Sequence, residues 1–297
     1  MTAGEIAKKT GAAERGVRIL CDYLTIGGFL TKSGSGAYGL SVDAAAFLDP
    51  RSPMCIASAV EFLASPYVRS AFDHFTESVR HGGAVIPEGD TVSSENPVWV
   101  KFAEAMAPLA YMTAEQVAGM VEAEGVRPRK VLDIAAGHGM FGIALARRNA
   151  AAEVSAVDWV PVLEVAKRNA AKFGVAGRYK TIPGSAFDVD FGSGYDVVLI
   201  TNFMHHFTPT VNEGFLKKVH AALSPGGLAI AVEFVPNEDR VTPPQAASFS
   251  LIMLGTTETG DAYTGAEYRK MMGNAGFSRV DVRALPPTPQ TAIFAEK

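Results

Sequence analysis

Two adjacent histidines and a glutamate are the residues whose types and spacing best suit acid–base chemistry. His205 and His206 follow an apolar segment at 195–201, and Glu233 ends the next apolar segment. A neutral imidazole is able to remove a proton from a hydroxyl group, and a nearby carboxylate can orient and polarise the ring. We expect one histidine to be catalytic, while the other caps the following helix or fills a polar gap. A metal site is disfavoured because adjacent side chains diverge and no partner ligands stand at metal-binding spacing.

A glycine-bearing turn is the second feature that suits a ligand. Residues 130–146 read KVLDIAAGHGMFGIALA, which predicts a buried strand, a sharp turn at Gly137 and Gly139, and a helix from about Met140. The pattern D-x-A-x-G-x-G, which begins at Asp133, differs from the G-x-G-x-x-G of dinucleotide sites. An acid at that position would repel a diphosphate but suits a cationic ligand such as S-adenosylmethionine. This loop resembles motif I of the class I methyltransferases, and a turn that binds no ligand is the alternative.

The next strand-like segment, at 152–160, ends in Asp158 and Trp159. A carboxylate at the end of this strand is able to accept hydrogen bonds from both hydroxyls of a ribose. The indole beside it offers a flat apolar face for an adenine ring. The alternatives are a solvated aspartate and a core tryptophan, and the preceding glycine turn favours the ligand-binding interpretation.

Strand-like and helix-like segments alternate from residue 130 onward. Such alternation predicts a doubly wound parallel sheet, with ligands at the carboxyl ends of its strands. A helix is predicted at about 265–275. The predicted strands lie near 130–135, 153–157, 178–182, 195–201, 228–234, 278–284 and 291–296.

The N-terminal part predicts a small winged-helix unit over residues 1–50, with helices at 3–9 and about 12–27 and two short strands within 27–41. Its five basic residues are balanced by five acidic ones, which disfavours DNA binding. Two further segments, 54–81 and 97–124, carry apolar residues at helical spacing, and a loop rich in glycine, proline and serine separates them.

The helix predicted at 97–124 carries apolar side chains whose role has two interpretations. In the simplest interpretation, these side chains pack in the core and at a subunit interface. In the more specific interpretation, Phe102, Met106 and Tyr111 form the wall of a hydrophobic substrate pocket.

Composition and charge limit the classes of protein. The chain has 297 residues, of which 48% are hydrophobic, and a formal net charge of −4. This length allows one large or two ordinary domains, and the charge disfavours nucleic acid and anionic membranes as partners. There is no apolar run of about 20 residues and no secretory signal at the N-terminus, so we expect a cytoplasmic protein. Cys21 and Cys55 suggest neither a disulfide framework nor a metal site.

Over essentially its full length, the chain resembles the O-methyltransferases that join an N-terminal winged-helix dimerisation domain to a C-terminal class I methyltransferase domain. The segment FMHHF at 203–207 resembles the L-H-D-W segment of that family, and DAYTGAEYRKMMGNAGF at 261–277 resembles its R-T-x-x-E-[FY] … A-G-F helix. The resemblance implies an α/β fold with a Rossmann-like, mostly parallel seven-stranded sheet. It places the domains at 1–122 and 123–297. The helix that usually precedes the winged-helix unit is missing, which a truncated sequence or a reduced dimer interface would explain.

The resemblance implies S-adenosylmethionine as cofactor, S-adenosylhomocysteine as product and no metal. Ser185 stands where the family has an adenine-contacting aspartate, so apolar contacts and a hydroxyl or backbone group would replace that hydrogen bond. The residues expected to bind the cofactor are Asp133, Gly137, Gly139, Asp158, Trp159, Ser185, Ala186, Phe187 and Asn202.

The resemblance also implies that His205 is the general base, that Glu233 is its carboxylate partner, and that the acceptor is a small aromatic or polyketide-like molecule. We expect His206 and Glu258 to contact the acceptor together with the apolar helix wall. The second catalytic acid of the plant enzymes falls on Ala262, so Glu258 or Asp261 would have to replace it.

Three alternatives stay open at this point. One is methylation of carbon or nitrogen, and another is non-methylating chemistry on the same scaffold. The third, from a different class of protein, is a ligand-responsive winged-helix regulator. We expect a homodimer, no nucleic-acid partner and no membrane partner.

Overall fold

The computed structural model describes residues 1–85 and 97–297, which form two compact units, Met1–Glu61 and Phe62–Lys297. Most of the predicted loop between the two helical segments, at 86–96, lies outside the described residues. The domain boundary between residues 122 and 123 stays a prediction.

The first unit begins with two helices and a two-stranded antiparallel sheet. Its elements are α1 (Ala3–Thr10), α2 (Glu14–Ile26), β1 (Leu30–Lys32), β2 (Tyr38–Leu40) and α3 (Val42–Phe47). Helix α1 starts in a capping box, in which Thr2 and Glu5 satisfy each other's backbone N–H groups. The core of this unit is small and centres on Ala3, Cys21 and Tyr38. These elements match the sequence prediction, while the assignment as a winged helix stays a prediction.

Several helices come before the main sheet. They are α4 (Ser58–Leu63), which spans the boundary of the two units, α5 (Pro66–Asp73), α6 (Phe75–His81) and α7 (Val98–Ala123). The segment at 54–81 therefore forms short helices rather than one long one. Helix α7 is long, continues through Pro108 and carries several charges. Among the described residues, no helix is both long and apolar enough to cross a membrane.

The described part of the second unit contains a seven-stranded sheet in the order β5-β4-β3-β6-β7-β9-β8. Its strands are β3 (Lys130–Ile134), β4 (Glu153–Asp158), β5 (Tyr179–Pro183), β6 (Tyr195–Thr201), β7 (Leu223–Glu233), β8 (Arg279–Ala284) and β9 (Thr291–Glu296). Strand β9 runs in the direction opposite to the other six strands. The mostly parallel sheet confirms the predicted fold. Strand β7 starts earlier than predicted, with a register shift opposite Tyr195 and Val197.

Helices cover both faces of this sheet. They are α8 (Met140–Arg148), α9 (Val160–Lys172), α10 (Pro209–Ala222), α11 (Pro244–Ala247), α12 (Phe249–Thr256) and α13 (Gly265–Asn274). Because both faces are covered, successive residues of β3 enter opposite cores. Val131 packs with α8, and Leu132 packs with the α10 and α13 side.

The strand order reverses between β3 and β6. The chain runs outward through β3, β4 and β5 and then returns to β6 on the other side of β3. In open α/β sheets, the crevice at the carboxyl ends of the strands at this reversal is the preferred place for a ligand. The glycine turn, Asp158 and the two histidines all lie at or just after strand ends at this edge.

Candidate active site

The turn between β3 and α8 is built from residues in the left-handed backbone region. Ala135, Gly137 and Gly139 have φ angles of 51°, 56° and 74°. At Gly139 a side chain is also excluded by space, because a Cβ atom would lie 2.6 Å from the hydroxyl oxygen of Tyr179. Helix α8 starts directly after Gly139, so its unpaired backbone N–H groups lie beside the turn.

Asp158 lies beside this turn and supports it. Its Oδ2 accepts a hydrogen bond from the N–H of Gly137 at 2.8 Å, and its Oδ1 accepts one from the N–H of Trp159 at 2.7 Å. Burial raises the pKa of Asp158 to about 6, although both backbone hydrogen bonds oppose the shift. Each carboxylate oxygen keeps a lone pair with which it is able to accept a hydroxyl of a ligand.

Asp133 points away from the cleft, into the packing between β3 and α8. Its Oδ2 accepts a hydrogen bond from the N–H of Gly142 at 3.1 Å, while its Oδ1 is buried without a hydrogen-bond partner. Burial raises the pKa of this carboxyl to about 8. Asp133 thus supports the turn from the protein side, and it is not one of the cleft-lining residues.

A cleft opens between the strand ends and helix α7, and it encloses about 960 Å³ of space when its opening to solvent is included. Among the described residues that line the cleft, Asp158 is the only Asp, Glu, Lys or Arg. The lining residues are Trp99, Phe102, Ala135, Ala136, Gly137, His138, Val157, Asp158, Trp159, Val162, Gly184, Ser185, Ala186, Phe187, Thr201, Asn202, Phe203, His206 and Phe207.

The predicted adenine-side residues lie together in this cleft. Ser185 Oγ accepts a hydrogen bond from the N–H of Phe187 at 3.1 Å, which fixes the loop after β5. The Phe187 ring packs against Phe203 with 5.9 Å between centroids. Asn202 has a φ of 53°, and its Oδ1 accepts a hydrogen bond from Nε2 of Gln290 at 2.6 Å. The side-chain amide N–H groups of Asn202 are therefore the ones left for a ligand.

His205 and Glu233 form a buried pair at the ends of the adjacent strands β6 and β7. Nδ1 of His205 lies 2.5 Å from Oε2 of Glu233. The other oxygen, Oε1, accepts hydrogen bonds from the N–H groups of Phe203 at 3.0 Å and Met204 at 2.8 Å. Glu233 is fully buried, and these three donors compensate its charge. Because Nδ1 faces the carboxylate, it carries the ring proton, and Nε2 keeps a lone pair.

The backbone of His205 is held by the segment that follows α12. Its carbonyl oxygen accepts a hydrogen bond from the N–H of Asp261 at 2.9 Å. A Cβ atom on Gly260 would lie 2.4 Å from that same oxygen, so only glycine fits there without displacement. The Phe249 ring meets the His205 ring edge-on at 4.8 Å. In the described part of the chain, no residue hydrogen-bonds to Nε2 of His205.

His206 points into the cleft, where aromatic side chains surround it. Its ring meets Trp99 edge-on at 5.4 Å, and Trp99 meets Phe102 in the same way at 5.6 Å. Burial, together with the neighbouring His205, lowers the pKa of His206 well below its ordinary value, so its ring is neutral at physiological pH.

Helix α7 contributes only part of the predicted apolar wall. Phe102 lines the cleft, whereas Met106, one turn later, is half-buried and is not among the described lining residues. Tyr111 lies on another surface, stacked on Phe173 and hydrogen-bonded to Arg147 at 3.1 Å. Nine residues separate Tyr111 from Phe102, and at 3.6 residues per turn this spacing puts them on opposite faces of a helix.

Neither candidate for a second acid, Glu258 or Asp261, places a carboxylate in the cleft. Glu258 is exposed and does not line it, and Ala262 is buried. The Asp261 carboxylate pairs with Arg240 at 3.2 Å. Among residues 1–85 and 97–297, no group of three or more His, Cys, Asp or Glu side chains is arranged to hold a metal ion.

Sequence reasoning did not identify His138 and Tyr179 as parts of this region. His138 lines the cleft inside the glycine turn. Tyr179 is buried under Gly139, with a hydroxyl that has no hydrogen-bond partner. His138 could have been found from its place inside the D-x-A-x-G-x-G pattern, whereas no sequence pattern indicated Tyr179.

The cleft fits S-adenosylmethionine. Asp158 offers acceptors for ribose hydroxyls, Trp159 and Ala186 offer apolar surface for an adenine, and the left-handed turn leaves backbone N–H groups accessible. His205 is not itself among the described lining residues, and its ring lies 4.3 Å from that of His206, which lines the cleft.

Comparison with known proteins agrees with this arrangement. The family model of the O-methyltransferase domain matches residues 72–278. The chain is 30% identical over 299 residues to 3-hydroxy-5-methyl-1-naphthoate 3-O-methyltransferase of Streptomyces sahachiroi, which covers 99% of this chain and 85% of that relative.

Solved structures share the fold over the whole chain. A protein of Nostoc punctiforme PCC 73102, described as a candidate O-methyltransferase, is 49% identical with a TM-score of 0.95, covering 100% of this chain and 89% of that one. Human N-acetylserotonin methyltransferase, solved in complex with S-adenosylmethionine, is 19% identical with a TM-score of 0.86. The match covers 100% of this chain and 87% of the human one. The chain therefore belongs to the O-methyltransferase family, and it is an enzyme that transfers a methyl group from S-adenosylmethionine to an oxygen atom.

Proposed function

We propose that this enzyme methylates a hydroxyl group of a small aromatic or polyketide-like molecule, with His205 as the general base and Glu233 as the residue that positions it. The observation that carries the proposal is the 2.5 Å contact between Nδ1 of His205 and Oε2 of Glu233. This contact fixes the tautomer in which Nε2 is able to accept a proton. It also stabilises the imidazolium that forms when the proton arrives.

When bound, S-adenosylmethionine supplies an electrophilic methyl group. Asp158 holds the ribose hydroxyls, Trp159, Ala186 and Phe187 form the apolar walls for the adenine, and Ser185 and Asn202 offer polar contacts. Gly137 and Gly139 keep the turn open to the methionine part, while Asp133 supports that turn from inside the protein. Positioning of two reactants contributes up to roughly 7–11 kcal/mol in well-oriented systems.

In the proposed mechanism, His205 acts on the acceptor rather than on the cofactor. Nε2 of His205 takes the proton as the O–H bond of the acceptor breaks. S-adenosylmethionine, when bound, would supply the methyl group to that oxygen, and its carbon–sulfur bond would break to leave S-adenosylhomocysteine. Glu233 keeps the ring of His205 in place during this step, because its two oxygens accept hydrogen bonds from His205 and from the N–H groups of Phe203 and Met204. A base positioned in this way contributes on the order of 10²–10⁴-fold in rate.

The aromatic surroundings of the cleft support a flat acceptor. Trp99, Phe102 and the neutral ring of His206 form an edge-to-face cluster beside His205. Such rings favour planar aromatic molecules by stacking and edge contacts. The Streptomyces sahachiroi relative is named for a hydroxynaphthoate, and we infer a hydroxylated fused aromatic ring for this enzyme as well.

Carbon and nitrogen methylation, which the sequence alone left open, are not supported by the family assignment, which gives oxygen as the acceptor atom. The regulator interpretation has no support either, and the first unit has no basic surplus. We keep the cytoplasmic location as a prediction.

We further propose that two copies associate through the first unit, which we interpret as a winged-helix dimerisation unit. Helix α2 exposes large apolar side chains, with Tyr23 and Ile26 at 70% and 85% exposure. Monomers rarely leave such side chains uncovered side by side. Sedimentation analysis tests this idea, since Tyr23→Ser with Ile26→Glu should yield monomers if the patch is the interface. A wild-type monomer, or a dimer in the double variant, would contradict it.

Substitution of the base tests the catalytic proposal. We expect His205→Ala to lose about 10²- to 10⁴-fold in kcat while it binds S-adenosylhomocysteine as the wild type does. His220→Ala is the matched control, because His220 packs against Phe277 away from the cleft. A His205→Ala enzyme with wild-type turnover would overturn the assignment.

A further inference from the structure

His138 is a buried polar residue inside the cofactor turn, with only 6% of its surface exposed. Its Nδ1 accepts a hydrogen bond from the N–H of Met140 at 3.2 Å. Its carbonyl oxygen accepts one from Nδ2 of Asn169 at 2.8 Å, and its ring stacks on Phe141. Ring and backbone are thus both fixed.

These contacts decide which ring nitrogen of His138 carries the proton. Burial lowers the pKa of His138 to about 4, so the ring is neutral at physiological pH. Because Nδ1 accepts from Met140, the single ring proton is on Nε2. In the described part of the chain, no residue accepts a hydrogen bond from this Nε2–H. This nitrogen is also not one of the fully buried atoms that lack a hydrogen-bond partner, so it is accessible to a ligand. The unpaired donor belongs to a residue that lines the cleft.

The surroundings of this donor favour an anionic ligand group. Helix α8 begins two residues after His138, and the N-terminus of a helix attracts negative charge. Among the described residues that line the cleft there is no Lys or Arg, so an anion there must be met by neutral N–H donors. S-adenosylmethionine has one anionic group, the carboxylate of its methionine part, and its ribose hydroxyls are already matched by the acceptors of Asp158.

We infer that His138 is a further cofactor-binding residue, whose Nε2–H donates a hydrogen bond to the carboxylate of S-adenosylmethionine. This inference rests on the proposed function, in which that cofactor occupies the cleft. The role is specific to a histidine held as the Nε2–H tautomer, because a shorter side chain bonded to Met140 has no donor at that reach.

A comparison of two ligands on one variant tests the inference. The ligands are S-adenosylmethionine and its decarboxylated form, which lacks only the carboxylate, and calorimetry measures both dissociation constants. His138→Asn is the variant, because an asparagine oxygen is able to accept the N–H two residues later and thereby keep the turn. His220→Asn is the matched control, and thermal unfolding checks that both variants fold.

We expect His138→Asn to raise the dissociation constant of S-adenosylmethionine by about 10- to 100-fold. The dissociation constant of the decarboxylated ligand should stay within about twofold of the wild-type value. The control should change neither constant. Equal weakening of both ligands, or of neither, would overturn the inference and leave the proposed function standing. A folded wild type that binds neither ligand would instead overturn the proposed function, and the inference with it.

Discussion

Nδ1 of His205 and Oε2 of Glu233 lie 2.5 Å apart, at the carboxyl ends of two neighbouring parallel strands. Glu233 cannot move to another partner, because its second oxygen already accepts the backbone N–H groups of Phe203 and Met204. The carboxylate therefore fixes the tautomer and the orientation of the base at the same time.

Replacement of Glu233 by glutamine tests this relationship. The glutamine amide has nearly the same shape as the carboxylate, but its NH₂ group is a donor. It would therefore face at least one of the N–H groups that donate to the oxygens of Glu233. We expect kcat to fall by about 10²- to 10⁴-fold with little change in the dissociation constant of S-adenosylhomocysteine. Glu164→Gln, on the exposed side of α9, is the control. Turnover within about threefold of wild type would show that Glu233 does not position the base.

A substitution at Gly260 probes the backbone support of the same histidine. An added Cβ atom would lie 2.4 Å from the carbonyl oxygen of His205 and 2.5 Å from Oγ1 of Thr257. Gly260→Ala should displace His205 and lower kcat by about 100-fold, because misplacement by about 1 Å has effects of that size. Gly273→Ala is the matched control, since nothing lies within 4 Å of its added Cβ. Steady-state kinetics measures both variants, and equal kcat values would contradict the expected role.

The buried carboxyl of Asp133 predicts a pH dependence of stability. Its pKa is about 8 in the folded protein and near 4 in the unfolded chain. Between these values the folded state holds a proton that unfolding releases, so this group lowers the free energy of unfolding as pH rises, by up to about 1.4 kcal/mol per pH unit.

Asp133→Asn has no proton to release. In urea unfolding from about pH 4.5 to 8, we expect the wild type to lose stability relative to this variant as pH rises. The comparison cancels the contributions of other groups, among them His138. Parallel pH profiles for the two proteins would rule out a raised pKa at this position.

The packing between β3 and α8 predicts a stability change at Gly142. An added Cβ atom would lie 2.7 Å from Oδ2 of Asp133 and 2.8 Å from Cγ1 of Val154, both of which are buried. Gly142→Ala should lower the free energy of unfolding by about 1–3 kcal/mol. Gly214→Ala in α10, where the added atom meets nothing, should raise it by about 0.5–1 kcal/mol. Denaturant titration distinguishes the two, and a stabilised Gly142→Ala would contradict the packing argument.

The sheet and the position of its ligand edge were predictable from sequence, because alternating apolar strands and helices restrict the topology to a doubly wound sheet. The glycines of the turn and Asp158 were recognisable for the same reason, since the glycines come just after strand β3 and Asp158 is the last residue of β4. The pairing of His205 with Glu233 followed from strand ends that meet at one edge.

Side-chain direction was not predictable in the same way. Strand β3 is apolar on both faces, so its pattern does not tell whether Asp133 faces the cleft or α8. Helix α7 has apolar side chains on several faces, so hydrophobicity alone did not separate Phe102 from Tyr111. The tautomer of His138 depends on one contact with a backbone N–H, which no sequence pattern reports.

Transfer of an isotopically labelled methyl group tests the central claim most directly. Wild type and His205→Ala are each incubated with labelled S-adenosylmethionine and a hydroxynaphthoate, and the product is located by NMR. We predict a methyl ether on the hydroxyl oxygen with wild type, and about 10²- to 10⁴-fold slower formation with His205→Ala. A label found on carbon, or undiminished transfer by the variant, would contradict the account of His205 as the base for O-methylation.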